Sequence, residues 1–163
     1  MRFKKYLEKQ EISKSEINRF ISDINSKIKQ YGATFNLTSH FVNDRINDPR
    51  NIPPLTLIEI EWVMKQWFKE NETLFKKDVE DVKNNIAQPR GEQKKQIPFN
   101  NLEWTVSGKI KDRNFVHVVF VLRQDNRKKG TAILLPQTII RTKNKKVTKG
   151  EYYQVSGELN LKG

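Results

Sequence analysis

His40, Asp44 and Arg45 are the residues in this sequence whose types and spacing could do chemistry. On a helix, a spacing of four stacks Asp44 beside His40, where a carboxylate can orient an imidazole. On an α-helix Arg45 lies about a quarter turn further round. A proton carrier, a carboxylate and a fixed cation in one patch suit phosphoryl transfer on RNA. That reaction needs a base for the 2′-hydroxyl, an acid for the leaving oxygen and a cation for the phosphorane charge. The plainer alternative is a helix-capping histidine beside a surface ion pair, and such pairs are common and weak.

Two further residues stand in the apolar C-terminal half. His117 lies between Val116 and Val118, and on a strand it shares a face with Phe115, Val119, Val121 and Arg123. It is either a buried histidine with one satisfied nitrogen or part of an open cleft with Arg123. Arg141 follows the apolar stretch Pro136–Ile140. There it either reaches a phosphate from a strand end or marks where the strand meets solvent. The run Arg141-Thr142-Lys143-Asn144-Lys145-Lys146 would hold RNA backbone without sequence preference. Arg50, Lys111, Arg113 and Arg123 are candidates to guide the same backbone. Trp104 could stack a base, although core packing is the simpler role.

Other chemistry has little material. There are only two histidines and no HExxH spacing, so no metal site is expected, and no cofactor. A chain with no cysteine has no disulfide, thiolate zinc site, iron–sulfur cluster or cysteine nucleophile. Lys and Arg total 31 against 19 acids, a net charge of +12, which is an argument about partners: a polyanion, with RNA first. No apolar run approaches the ~18 residues of a membrane span. The basic residues are also spread along the chain, not lined along one amphipathic face, so no membrane partner is expected. Met1–Gln10 is charged and lacks an apolar signal core, which favours a cytoplasmic location.

These residues need elements to position them. Ser13 to Glu16 forms a capping box, followed by Ile17, Phe20, Ile21, Ile24 and Ile28 at helical spacing and a stop at Gly32. A short second helix is predicted over Ser39–Ile46, ended by Pro49. Thr56 with Glu59 caps a third, carrying Leu57, Ile60, Val63, Met64, Trp67 and Phe68 on one face. Phe75, Val79, Val82 and Ile86 continue the pattern after a break near Asn71. Residues 88–97, with a Pro, a Gly and three cations, predict a mobile loop. Strand patterns then follow at Leu102–Val106, Phe115–Leu122, Thr131–Ile140 and Tyr152–Val155. Phe115–Leu122 is apolar at nearly every position, which places it centrally, covered on both faces. The expectation is an α+β fold: N-terminal helices packed on a small antiparallel sheet of three to five strands. Residues 1–34 form an N-terminal helical segment and 35–163 the α+β domain.

The segment His40-Phe41-Val42-Asn43-Asp44-Arg45, followed by Asn47-Asp48-Pro49-Arg50-Asn51, a helix, and a strand ending Thr138-Ile139-Ile140-Arg141-Thr142-Lys143, resembles the RegB-type phage endoribonucleases. These belong to the RelE/barnase/colicin-like ribonuclease superfamily and have relatives in marine phages. The likeness spans roughly Phe35–Asn144. It implies N-terminal helices on a small antiparallel sheet, and metal-independent cleavage of messenger RNA that leaves a 2′,3′-cyclic phosphate. It also implies a place in an infected host cell. The family's helix histidine and the arginine after it carry over as His40 and Arg45. Its second histidine falls on the following helix, where this chain has Trp67 and Asn71, so His117 is the candidate to replace it. Two functions therefore stand side by side. One is an endoribonuclease using His40, His117, Arg45 and Arg141. The other is a non-catalytic protein on the same scaffold, a virion or accessory factor that binds nucleic acid or another phage or host protein.

Overall fold

Ser13 accepts a hydrogen bond from the Glu16 amide at 3.2 Å and starts helix α1, Lys14–Ile28. A short 3-10 turn follows, and Gly32, with φ 82°, stops it in the left-handed region that glycine enters without penalty. Thr56 starts helix α2, Leu57–Glu70, by accepting the Glu59 amide while its hydroxyl donates to the Glu59 carboxylate at 2.9 Å. Asn71 breaks the pattern as expected, and helix α3 runs Glu72–Lys83. The computed structural model describes residues 12–84, 89–90, 95–96, 101–128, 130–144 and 151–161, with backbone only at 89–90, 95–96 and 101.

The strands are β1 (Ala33–Phe35), β2 (Pro89–Arg90), β3 (Lys95–Gln96), β4 (Asn101–Ile110), β5 (Phe115–Gln124), β6 (Ala132–Thr142) and β7 (Tyr152–Leu159). Five of them form one sheet in the order β1-β6-β5-β4-β7. β5 is central, as its two-sided apolar pattern requires. The inner three strands are antiparallel, joined by hairpin connections. β1 joins β6 in parallel and β7 joins β4 in parallel, so the sheet is mixed. Neither outer strand reaches its neighbour through a hairpin, which frees its direction. β2 and β3 pair with each other inside the segment expected as a mobile loop, whose remaining residues lie outside those described.

The helices cover one face. Phe20, Ile24 and Ile28 of α1, Ile60, Val63, Met64 and Trp67 of α2, and Phe75, Val79 and Val82 of α3 share one cluster with Val116, Val118, Phe120 and Leu122 of β5. Trp67 stacks on Trp104 at 5.3 Å in its middle, so Trp104 is core and offers no face to a base. The proposed boundary after residue 34 falls inside β1, and α1 belongs to the same core as the rest. Pro136, mid-strand in β6, sits at a bulge where the pairing slips between Val119 and Phe120, the one kind of interior position a proline tolerates.

Candidate functional site

His40 stands at the start of a five-residue π-helix, Phe41–Arg45, where an α-helix was expected. Phe41 is fully buried and Ile46 is 1% exposed, so both must face the core although they are five residues apart. On an α-helix that spacing would separate them by about 140°. A π turn, closed by Ile46 N–H donating to the Phe41 carbonyl at 3.0 Å, brings them to one side. The element packs against β6. Thr38 Oγ1 accepts from the Phe41 amide at 3.1 Å and fixes its start.

The same turn displays the chemistry. His40 Nδ1 lies 2.7 Å from Asp44 Oδ2, with the two side chains 61% and 53% exposed. Held this way, Nδ1–H donates to the carboxylate and Nε2 is left towards solvent, a tautomer assigned from the partners. Arg45 closes the turn, five residues after His40. It is half-buried, and its Nε is buried with no hydrogen-bond partner. Asp48, close by, is gripped by Arg50, whose Nη2 donates to Oδ2 at 2.8 Å. The bonds from Arg50, with the nearby Arg45 charge, hold the Asp48 carboxyl down to about 2. Arg50 therefore remains exposed but engaged.

His117 is not on an open face with Arg123. It lies on the side of β5 away from the helices, yet it is 1% exposed. Ser107 Oγ meets Nδ1; Nε2 lies 2.8 Å from Thr142 Oγ1 and 3.0 Å from the Asn144 carbonyl. Since a carbonyl only accepts, Nε2 carries the proton and Nδ1 accepts from Ser107. Burial pushes the imidazole pKa below its ordinary 6.5, with the Asn144 bond opposing. All of this fits a core histidine holding the end of β6, and none of it fits a proton carrier in contact with substrate.

Arg141 is likewise withdrawn from solvent. Its guanidinium is 2.6 Å from Glu59 Oε2, both side chains 0% exposed. Nε donates to the Pro53 carbonyl at 2.7 Å, Nη1 to that of Arg113 at 2.7 Å and Nη2 to that of Pro54 at 3.2 Å. With four of its five N–H donors bonded and the side chain 0% exposed, Arg141 has no open edge for a phosphate, so the expected contact with RNA is corrected to a structural one. Arg123 and Lys143 are exposed; Lys111 is exposed and Arg113 half-buried on the β4–β5 turn. Lys145 and Lys146 lie outside the described residues.

One polar residue that the sequence reading passed over ties these parts together. Asn51, 4% exposed, accepts the Arg141 amide at 2.8 Å through Oδ1 and donates to the Arg45 carbonyl at 3.3 Å through Nδ2. Its position in a Pro-rich connector, where backbone groups lack regular partners, was the available signal. Among the described residues no three His, Asp or Glu side chains gather as a metal site, and no helix is long and apolar enough to cross a membrane. Comparison with protein-family models, curated proteins and solved structures finds no match.

Proposed function

We propose that this chain is an endoribonuclease that cuts RNA by attack of the substrate's own 2′-hydroxyl on the adjacent phosphorus. The observation that carries the reading is the exposed His40–Asp44 pair on a turn whose last residue is Arg45. In the reaction the 2′-hydroxyl proton passes to His40 Nε2 and the O2′–P bond forms. The P–O5′ bond then breaks and the 5′-oxygen takes a proton, leaving a 2′,3′-cyclic phosphate. Asp44 steadies the imidazolium, and Arg45 lends positive charge to the phosphorane. With His117 and Arg141 in the core, His40 serves both proton transfers in turn or shares them with water. No metal is required by this scheme, because side chains supply base, acid and cation.

The second reading, a non-catalytic RNA-binding or virion accessory protein, is favoured by that same burial of His117 and Arg141, which leaves one histidine for the chemistry. Incubation with mixed RNA in EDTA separates the two. Cleavage is expected, and His40→Ala should slow it about 10²–10⁴-fold. Undiminished cleavage by His40→Ala ends the mechanism; no cleavage by the wild type on several RNAs leaves the binding reading.

A further inference from the structure

We propose that the cleft between Pro53 and the β4–β5 turn is a subsite for a backbone phosphate of single-stranded RNA, an inference that rests on the RNA reading above and deepens it. The cleft, of ≈ 250 Å³, is lined by Pro53, Lys111, Asp112, Arg113, Asn160 and Leu161. It is too small for a cofactor-sized ligand but has room for a phosphate with part of its sugar. Two cations and an amide suit the phosphate oxygens; Pro53 and Leu161 offer apolar surface to the ribose.

The walls are built, not incidental. Asp112 and Asn114 in the turn take φ of 62° and 67°, a conformation side chains rarely adopt, and Asp and Asn are among the types that tolerate it. Such outliers persist where the surroundings hold them. Here the turn's own bonds hold it, Arg113 N–H to the Ile110 carbonyl at 3.0 Å and Ile110 N–H to the Asn114 carbonyl at 2.9 Å, and the buried Arg141 guanidinium ties the two walls by bonding the carbonyls of Pro53 and Arg113. Through Asn51 the same arginine is joined to the Arg45 carbonyl, so the cleft and the His40 turn share one rigid frame. One backbone phosphate of a bound strand would rest between Lys111 and Arg113.

A fluorescent single-stranded oligonucleotide of 2′-deoxy nucleotides tests this, because it binds but cannot be cut by 2′-hydroxyl attack. Lys111→Ala with Arg113→Ala should weaken binding about tenfold or more at low salt and lower the slope of log affinity against log salt by about 0.7, the share of one single-strand phosphate contact. Arg113's carbonyl bond to Arg141 is kept in that variant. Asp112→Asn removes the one repulsive charge and should tighten binding several-fold, a gain that unfolding cannot mimic. Unchanged affinity or slope in the double variant overturns the subsite. So does competition by millimolar inorganic phosphate that blocks the cleft without displacing the oligonucleotide. Because the probe is inert to cleavage, a wild type that binds through these residues but never cuts RNA would sink the nuclease reading and leave the subsite standing.

Discussion

Replacing Arg141 by Met should destabilise the fold by about 4 kcal/mol. The side chain is 0% exposed, as is its partner Glu59 at 2.6 Å. Met fills much of the volume but leaves the Glu59 carboxylate buried without its cation, and breaking such a pair costs about 3–5 kcal/mol. It also removes the donors to the carbonyls of Pro53, Pro54 and Arg113. Pro53 and Arg113 line the cleft, so water can take over part of the loss, which keeps the expectation within that range. Against a whole stability of about 5–15 kcal/mol this is a large fraction. Urea unfolding followed by fluorescence reads it directly, since Trp67 and Trp104 stack at 5.3 Å inside the core. With a slope of about 1–3 kcal/mol per molar, the midpoint should fall by roughly 2 M with the slope unchanged. Glu59→Leu combined with Arg141→Met should cost clearly less than the two single changes together, because no buried charge is then left unpaired. A loss below about 1 kcal/mol for Arg141→Met, or strict additivity in the double variant, would refute the view of Arg141 as a buried brace.

Two other consequences concern the sheet. His117 has its folded pKa lowered by burial, so the unfolded chain binds the proton more readily. Its contribution to stability is therefore complete above the unfolded value of about 6.5 and is lost as pH falls through the folded one. His117→Asn should flatten the fall of melting temperature below about pH 6.5, and parallel curves for the two proteins would show that another group is responsible. A Cβ added at Gly108 would stand 2.8 Å from both Trp62 Cζ3 and Val63 Cγ2 on α2, tighter than real contacts allow. Gly108→Ala should therefore push α2 off β4 and cost about 1–3 kcal/mol in calorimetry; an unchanged melting temperature would mean the helix gives way freely.

Much of the frame was legible because it follows from local rules. The caps at Ser13 and Thr56, the break at Asn71 and the central place of β5 each depend on residues within one turn or one strand. The directions of β1 and β7 depend on which edge a distant segment reaches, and no local pattern encodes that. Arg141 is the instructive error. Its burial comes with Glu59, 82 residues earlier, on a helix packed against the sheet. Yet a trace was present: Arg141 is two positions from Ile139, which is 3% exposed, so strand alternation already put it on the core side. His117 carried a matching trace, since its pairing partner across β4 is the small polar Ser107, a typical companion for a satisfied histidine.

The π turn over Phe41–Arg45 is set by the core and not by the residues it displays. A π turn is an α turn with one residue inserted. The sequence reason lies in the core: Phe41 and Ile46 are five apart and both buried, so the backbone must widen to seat the two anchors. Once it does, His40 and Arg45, one step back along the chain, take the same five-residue spacing on the wider turn. The turn leaves His40 and Asp44 exposed and paired, and π turns of this kind are frequent at functional sites. The burial of two anchors, not the pairing of two surface charges, fixes the arrangement on which the proposed chemistry depends.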